Sequence, residues 1–321
     1  MRLILREIKK IIKKLFFQKR LLKKENKQLL YQLNYLKKHI SPKDIKPATG
    51  FIRDYQMKEI AFMQEINSIL NKQNIFPILG GGGVLGLIRH NGFVPWDDDL
   101  DFDVLREDFD KIIEYAKKNW VWIEINKQGT LLAKSYDDAI KQNPGKIIAI
   151  LSPYCLHVYR GTCLKDSVNV EFFILDYIKD SVNEKQIVDY KEKIISYIKK
   201  ANGNVSKILS FYKQELPNST VFTQEKTDRL YYGLGNNGLT EYKFHGFLEY
   251  SDIFPIQNAV FEGAKVKIPN KPINYLCSLY GNWEKLPSDI GISHKFEYIN
   301  DYCREYNLEE VNYIEEEIQI K

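Results

Sequence analysis

Apolar and polar positions in the first forty residues follow the period of an α-helix. Over residues 1–18, six aliphatic or aromatic residues fall on one half of a helix, and six lysines or arginines fall on the other. The apolar half consists of Ile4, Ile8, Ile11, Ile12, Leu15 and Phe16. A cationic face opposite an aliphatic face is typical of a helix that lies on an anionic membrane surface. The alternative is a helix that packs on the protein body or on another copy of the chain.

Residues 19–40 carry a seven-residue apolar repeat instead. Leu22, Leu29 and Leu36 recur every seven positions. The alternate positions, four residues after each leucine, are Asn26, Leu33 and Ile40. This spacing predicts a short coiled coil, and an asparagine in such a seam can fix the register of a dimer. A homodimer through residues 19–40 is one interpretation, and a single helix that folds back on the body is the other.

The remainder of the chain changes repeatedly between helical and strand periods. Two prolines and a glycine in residues 41–53 indicate a linker before it. Helices are predicted over 54–73, 107–118, 183–215 with a break near 201–203, and 273–280. Strands are predicted over 76–79, 99–104, 120–125, 154–159 and 167–176, and residues 127–150 are predicted to be irregular. This order of elements predicts an α+β domain over residues 54–321.

The most informative stretch is Gly80–Asp103, where a glycine run leads to five aspartates within residues 97–103. Alternate side chains of a strand share a face, so Asp99, Asp101 and Asp103 are predicted to point the same way. Like charges at this spacing repel unless a cation neutralises them, and Mg2+ and Mn2+ prefer oxygen ligands. The sequence therefore predicts a divalent metal site, with an acidic turn between two elements as the alternative.

The glycines of this stretch point to a second kind of ligand. Gly81, Gly82 and Gly83 come at the start of a helix or turn predicted over residues 82–90. Glycine allows the backbone to approach a phosphate closely, and the first N–H groups of a helix have no partner inside the helix. We therefore expect a phosphate to bind beside the metal site.

A further carboxylate stands in the middle of an apolar strand. Glu171 is the acidic residue within the run Val168–Leu175. Burying such a residue is costly unless it is paired or bound to a metal. Glu171 is therefore either a third carboxylate of the metal site or a solvent-facing residue of an edge strand.

Charge is divided unevenly along the chain. Residues 1–40 hold 13 lysines and arginines against two glutamates, whereas the rest of the chain holds 34 basic and 40 acidic residues. A slightly acidic body does not fit a nucleic-acid-binding protein. No apolar run is long enough to span a bilayer. We therefore expect a cytoplasmic protein, peripheral on the cytoplasmic face of the membrane.

The cysteines and histidines show no spacing typical of metal ligands, so we expect no metal site built from them. The cysteines are Cys155, Cys163, Cys277 and Cys303, and the histidines considered are His90, His157, His245 and His294. A chain of 321 residues also needs no disulfides for its stability, which favours a reducing compartment.

Several of these segments resemble the hallmarks of the LicD family of phosphotransferases, to which fukutin and fukutin-related protein are also similar. The main hallmark is a Gly-rich turn, an arginine and a Pro-Trp-Asp-x-Asp-x-Asp strand. It is matched by Gly82–Gly86, Arg89, Gly92-Phe93, Pro95-Trp96 and Asp97–Asp101. A second hallmark strand resembles Val170–Asp176, which contains Glu171. A C-terminal set is matched by Phe254-Pro255, Phe261-Glu262-Gly263, Ile268-Pro269, Tyr280-Gly281, Leu286-Pro287 and His294.

The resemblance implies a nucleotidyltransferase (polymerase-β-like) fold, with a mixed sheet and flanking helices behind the N-terminal helix. It implies transfer of phosphocholine, phosphoethanolamine or a polyol phosphate (ribitol or glycerol) from a CDP-activated alcohol donor, with release of CMP. The implied acceptor is a hydroxyl of a glycan or glycolipid, as in lipopolysaccharide or capsule modification. The implied cofactor is Mg2+ or Mn2+.

The resemblance also implies roles for the acidic residues. Asp99 and Asp101 are expected to hold one or two metal ions, with Asp97 or Asp103 as an added ligand or an orienting group. Glu171 is expected either to ligate the second ion or to accept the proton of the acceptor hydroxyl.

Other matched residues are expected to contact the donor. The backbone around Gly81–Gly83 and the side chain of Arg89 would neutralise its phosphates, although Arg89 could instead pair with an aspartate. Trp96 is expected either to fix its loop or to stack on the cytosine. His294 joins the candidate site through the family match, and Asp98 is expected to face away from the metal.

The sequence departs from the family pattern at three positions, and two rival functions stay open. Gly83 stands where the family commonly has Thr or Ser, Glu171 replaces an Asp, and Ile174 replaces a Pro. One rival is a nucleotidyltransferase acting on RNA or a small alcohol, against which the acidic body and the Pro-Trp-Asp segment speak. The other is a non-catalytic, membrane-associated scaffold, against which the aspartate set speaks.

Overall fold

A computed structural model describes residues 2–125, 130–152, 155–202, 204–235, 246–287 and 290–314. The chain divides into two compact units, Met1–Ile45 and Lys46–Lys321. In the first unit, helix α1 (Arg2–His39) runs without a break through the amphipathic stretch and the heptad positions, and a short 3-10 turn (Pro42–Asp44) follows it. None of the helices that the structure describes combines the length and the apolar character needed to cross a bilayer.

The second unit packs helices around one mixed sheet. Its described helices are α2 (Gly50–Asn71), α3 (Gly81–His90), α4 (Arg106–Asn119), α5 (Thr130–Gln142), α6 (Glu184–Ala201), α7 (Val205–Glu215), α8 (Tyr250–Ile253), α9 (Pro272–Tyr280) and α10 (His294–Glu305), with a 3-10 turn at Leu216–Asn218. Its described strands are β1 (Ile78–Leu79), β2 (Asp101–Leu105), β3 (Val121–Glu124), β4 (Ile148–Leu151), β5 (Leu156–Arg160), β6 (Val168–Ile178), β7 (Phe222–Thr223), β8 (Arg229–Tyr232), β9 (Leu248–Glu249), β10 (Gln257–Phe261) and β11 (Ala264–Ile268).

The described strands lie in the order β10-β11-β1-β2-β6-β5-β4-β3. β2 pairs in parallel with β6, and the next neighbour, β5, runs antiparallel to β6. The second half of β6 pairs with β7 and β8, and β9 extends the sheet from β8. The predicted α+β class with a mixed sheet is therefore confirmed, and the nucleotidyltransferase assignment stays a prediction.

β6 is almost continuously apolar because it lies in the centre of the sheet and is covered on both faces. Phe172 of β6 and Phe102 of β2 are fully buried, and their rings stack with centroids 5.9 Å apart. Helix α2 packs on β6 and buries Met63 and Ile66 completely. The parallel pairing of β2 with β6, supported by this packing, positions the candidate site.

Two predicted boundaries are corrected by the structure. Residues 127–150, predicted to be irregular, contain helix α5 and strand β4. The helix forms because Ala133, Tyr136 and Ile140 recur every three or four residues and are buried against α10 and the sheet. Helix α2 begins at Gly50, so the last four residues of the predicted linker are helical.

An ion pair joins α2 to the turn between β10 and β11. Arg53 donates two hydrogen bonds to the carboxylate of Glu262, at 2.9 and 2.7 Å, and the backbone N–H of Phe93 donates a third at 3.0 Å. These contacts, the bonds from Arg53 first, lower the pKa of Glu262 below its ordinary value of 4.5.

We expect Glu262→Gln to lower the free energy of unfolding by about 1–2 kcal/mol at neutral pH, because it removes charge-assisted hydrogen bonds from a largely buried group. Because the pKa of Glu262 is lower in the folded than in the unfolded protein, its charge stabilises the fold at pH values above the unfolded pKa. This stabilisation is lost as the pH falls through the folded pKa. The difference from wild type, measured by urea unfolding, should therefore shrink well below pH 4.5. Glu309→Gln, at an exposed position, is the control. Equal stability of Glu262→Gln and wild type at pH 7 would contradict this assignment.

Candidate functional site

Three central strands bring predicted and unpredicted polar residues into one row. Asp101 of β2 lies directly beside Glu171 of β6 in the parallel register. On the other side of Glu171, the cross-strand partner in β5 is His157. Glu171 is thus a central-strand residue and not part of an edge strand, and its carboxylate lies between the carboxylate of β2 and the imidazole of β5.

The aspartates just before β2 form a second cluster. Asp97, Asp98 and Asp99 each place a carboxylate oxygen within 4.8 Å of the others. The carboxylate of Asp98 is already engaged, because it accepts hydrogen bonds from the hydroxyl of Ser293 and from the N–H of Lys295 at 2.9 Å. Asp98 therefore caps the start of α10, and Asp97 and Asp99 are left as candidate ligands.

The electrostatics of this region show unbalanced negative charge. Burial raises the pKa values of Asp99 and Asp101 well above normal, and repulsion from each other and from neighbouring carboxylates adds to the effect. Burial and repulsion from Asp98 raise the pKa of Asp97 to about 7. Within the described ranges, the buried Oδ1 atom of Asp101 has no hydrogen-bond partner. A hard divalent cation ligated by Asp99 and Asp101, with Asp97 in support, fits this set of oxygen donors.

Asp103 has a different environment from the one predicted. It is buried, and its Oδ2 atom accepts a hydrogen bond of 2.6 Å from the hydroxyl of Tyr275. The same hydroxyl accepts the N–H of Gly81 at 2.9 Å. Burial raises the pKa of Asp103 to about 7 even though Tyr275 and Tyr232 donate to it. Asp103 therefore holds Tyr275 and, through it, the start of α3.

The glycines place the N-terminus of α3 against these carboxylates. Gly81 has a left-handed φ of +43°, and a Cβ atom there would lie 3.0 Å from Oδ2 of Asp101. At Gly82 a Cβ atom would lie 2.6 Å from Oδ2 of Asp97. A Cβ at Gly83 would instead meet the side chain of Leu79 at 2.6 Å, so this position faces the core. The start of α3, whose first N–H groups have no partner within the helix, thus lies next to the acidic cluster.

Arg89 and Trp96 belong to the segment between the start of α3 and the aspartates. Arg89 is buried, and it donates from Nη1 to the carbonyl of Trp283 at 3.0 Å and from Nε to His90 at 3.0 Å. Within the part of the chain that the structure describes, Arg89 forms no ion pair with an aspartate, although the charge of Asp97 acts on it. Trp96 is half-buried, with its ring edge-on to His90 at 6.3 Å.

The first turn of α10 supplies two residues. His294 is exposed, and its charge lowers the pKa of Asp97. Sequence reasoning missed Lys295, whose ammonium donates to the carbonyl of Ser167 at 3.1 Å and to Oδ1 of Asn169. Burial lowers the pKa of Lys295, against the opposing charges of Glu59 and the site aspartates. Lys295 is thus a cation beside the acidic cluster.

Sequence reasoning also missed three neighbours of Glu171, which are Cys155, His157 and Asn169. Nδ1 of His157 lies 2.9 Å from Oε1 of Glu171, and Nδ2 of Asn169 donates to the same oxygen at 3.2 Å. Sγ of Cys155 lies 3.1 Å from Nε2 of His157. Burial raises the pKa of Glu171, but the charge of His157 and its hydrogen bond outweigh this and the pKa is lowered. The signal available in the sequence was the Cys-x-His spacing, which places both side chains on one face of a strand.

A large cleft lies away from this cluster. It has a volume of about 610 Å³ and lies at the far ends of β2 and β6, where Arg106 and Asp176 form an ion pair of 2.5 Å. None of the residues predicted for the site lines this cleft. Beside Asp101 there is a much smaller recess of about 20 Å³, lined also by Phe173, Tyr232 and Tyr280.

Comparisons with known proteins single out the same part of the chain. Residues 74–144 match the family described as LicD/FKTN/FKRP, nucleotidyltransferase domain. The lipopolysaccharide cholinephosphotransferase LicD of Haemophilus influenzae is 26% identical over 99 residues, which cover 31% of this chain and 35% of that protein. An uncharacterized protein of Rickettsia typhi is 37% identical over 68 residues, which cover 20% of this chain and 22% of that protein. The matched stretches thus span about a third or less of these relatives, and the family match contains Gly81–Asp103 but not Glu171 or His294.

Proposed function

We propose that this chain, which matches the LicD family over residues 74–144, transfers a phospho-alcohol from a CDP-activated donor to a hydroxyl of a cell-surface glycan or glycolipid, with release of CMP. The observation that carries the proposal is the contact between the start of α3 and the carboxylates. Asp101 lies beside Glu171 in register, and a Cβ atom at Gly81 or Gly82 would lie 3.0 Å from Asp101 or 2.6 Å from Asp97. Phosphate-binding N–H groups and cation-binding oxygens thus meet at one place.

The proposed reaction is an in-line displacement at the phosphorus that carries the alcohol. The acceptor oxygen forms a new P–O bond, the bond between this phosphorus and the bridging oxygen breaks so that CMP leaves with that oxygen, and the hydroxyl proton of the acceptor passes to water. Asp99 and Asp101 would hold Mg2+ or Mn2+, which supplies charge neutralisation for the pyrophosphate when it is bound. The N–H groups at the start of α3 bind phosphate oxygens. Glu171 has a lowered pKa, which makes it a weak base and favours its role as the third carboxylate ligand.

Thermal unfolding with a panel of donors tests the substrate class. We expect one among CDP-choline, CDP-ethanolamine, CDP-glycerol and CDP-ribitol to raise the Tm by about 5 °C or more at saturating concentration in the presence of Mg2+. A ligand that binds the folded state raises Tm, so CMP and CTP serve as controls for the nucleotide part alone. The shift should disappear in EDTA. Equal shifts by CTP and by all four donors would contradict a site that recognises the alcohol.

We further propose that residues 1–18 bind an anionic membrane surface, where the acceptor glycolipid would be found. The six basic residues of this stretch contribute roughly 1 kcal/mol each near an anionic leaflet, and the described apolar side chains of Leu15 and Phe16 are exposed.

We expect the full chain to sediment with phosphatidylglycerol vesicles and not with phosphatidylcholine vesicles. Deletion of residues 1–18 should lower the partition coefficient by at least about 100-fold, and salt should weaken binding of the full chain. Unchanged sedimentation after the deletion would reject this role and favour packing or self-association of the helix.

A further inference from the structure

We propose that Cys155, His157 and Glu171 form a second cation site, for Zn2+ or another thiophilic divalent ion. This inference goes beyond the proposed transfer, with which it shares Glu171. The sequence predicted no metal site among the cysteines and histidines, because the ligand set becomes visible only when β5 and β6 pair.

The strand geometry explains how the three donors meet. Cys155 directly precedes β5 and His157 is the second residue of that strand, and their side chains lie on the same side, with Sγ 3.1 Å from Nε2. Glu171 lies directly opposite His157 in the antiparallel pairing with β6. The pairing of β5 with β6 therefore brings the sulfur, the ring nitrogen and the carboxylate oxygen together.

The distances between the donors suit a zinc ion. Sγ of Cys155 lies 3.1 Å from Nε2 of His157 and 3.6 Å from Oε2 of Glu171. Sγ, a ring nitrogen of His157 and a carboxylate oxygen of Glu171 lie within 4.8 Å of one another. In a tetrahedral zinc site with ordinary bond lengths, neighbouring ligand atoms are roughly 3.3–3.6 Å apart. Small side-chain adjustments would therefore allow one ion to contact all three atoms.

A second, independent feature points to a ligand at this place. Tyr136 of α5 is 3% exposed, and its buried hydroxyl has no hydrogen-bond partner among the residues that the structure describes. Its ring lies 5.5 Å from the ring of His157, and its pKa is raised by burial first and then by the charges of Cys155 and Glu171. A buried hydroxyl without a partner is costly. Three protein ligands leave a fourth position open, and a water there would satisfy this hydroxyl.

The surroundings hold the donors in place. The N–H of Cys155 donates to the hydroxyl of Ser152 at 3.2 Å, and the N–H of Ser152 donates to the carbonyl of Cys155 at 3.1 Å. Asn169 donates to Oε1 of Glu171, which leaves Oε2 turned toward the sulfur. The thiol itself is completely buried. A soft ligand in a dry, preorganised pocket selects zinc over Mg2+, which prefers oxygen ligands.

Cobalt substitution tests the site directly. The full chain, stripped of metal with a chelator, is titrated with Co2+ while the absorption spectrum is followed. We expect one Co2+ per chain with a thiolate-to-cobalt charge-transfer band in the near ultraviolet, displaced by Zn2+ and insensitive to excess Mg2+. Cys155→Ser should lose the band. Cys303→Ser is the matched control, because Cys303 is also fully buried but lies outside the cluster, and it should keep the band.

Three further variants keep the test decisive. If Cys155→Ser does not fold, His157→Gln is used instead, and this variant should bind Zn2+ at least about 100-fold more weakly than wild type. Tyr136→Phe should weaken Zn2+ binding by about 10-fold. Asp99→Asn should keep the cobalt band while losing CMP release, so failure of the zinc site and failure of the proposed function are distinguishable. The absence of a band in wild type, or its persistence in Cys155→Ser, would overturn the proposal.

Discussion

Replacing Asp101 with asparagine should make the metal-free protein more stable and abolish its activity. The Oδ1 atom of Asp101 is buried without a hydrogen-bond partner, and its charge is repelled by Glu171, Asp97 and Asp103. Asparagine has the same shape without the charge. We therefore expect Asp101→Asn to raise the free energy of unfolding in EDTA by about 1–2 kcal/mol at neutral pH.

The stability gained by Asp101→Asn in EDTA should depend on pH in a defined direction. The folded pKa of Asp101 is raised above its ordinary value of 3.8, so its charge destabilises the fold at neutral pH. The metal-free wild type should gain stability as the pH falls through the raised folded pKa. The asparagine variant lacks this contribution, so its advantage should shrink on acidification.

In Mg2+, wild type should become more stable than Asp101→Asn. Binding to the folded state raises the stability of wild type in proportion to RT ln(1 + [Mg2+]/Kd), whereas Asp101→Asn should gain little. CMP release should fall by about 1,000-fold or more, because a charge that stabilises the transition state is no longer held. Asp54→Asn, at an exposed position of α2, is the control. If Asp101→Asn is less stable than wild type in EDTA, or keeps turnover within tenfold of wild type, the metal-binding role of Asp101 is contradicted.

The second large effect concerns Tyr275. Its hydroxyl donates to Asp103 and accepts from Gly81, so Tyr275→Phe removes two hydrogen bonds and leaves a buried carboxylate with one fewer donor. We expect the variant to lose about 2–3 kcal/mol of unfolding free energy at pH 8, measured by urea unfolding. It should also weaken donor binding, because Gly81 starts the phosphate-binding helix.

The loss should depend on pH in a defined direction. The pKa of Asp103 is raised to about 7, and a protonated Asp103 no longer requires the hydroxyl of Tyr275. The difference between wild type and Tyr275→Phe should therefore narrow as the pH falls below 7. Tyr136→Phe in EDTA is a matched control, because its buried hydroxyl has no partner in the metal-free protein, and it should change stability by less than about 0.5 kcal/mol. Equal losses for the two variants would contradict the role given to Tyr275.

Local patterns in the sequence predicted the two strands that carry the candidate site. Alternation of aspartates with apolar residues predicted strand β2, and the apolar run around Glu171 predicted β6. The structure places these strands side by side with Asp101 next to Glu171. The resemblance inferred from the motifs is confirmed by the family match over residues 74–144. These features could be predicted because strand period and motif spacing are local properties.

The unpredicted parts depend on contacts between distant residues. The role of Asp103 depends on Tyr275, which lies 172 residues later in the chain. Lys295 approaches Asn169 only because α10 packs against α5 and is capped by Asp98. The Cys155–His157–Glu171 cluster depends on the register of two strands. No local pattern encodes such pairings, and α5 was missed because its three- and four-residue period is short and interrupted by polar residues.

The most direct test of the central claim is CMP release from the CDP-alcohol that gives the largest thermal shift. The full chain is incubated with this donor and Mg2+, with water as a slow acceptor, and CMP is quantified by chromatography. We expect wild type and Asp54→Asn to form CMP in Mg2+. We expect no CMP above background from either protein in EDTA, or from Asp99→Asn in Mg2+. Equal CMP formation by folded Asp99→Asn, or by wild type in EDTA, would contradict a metal-dependent transfer at this site.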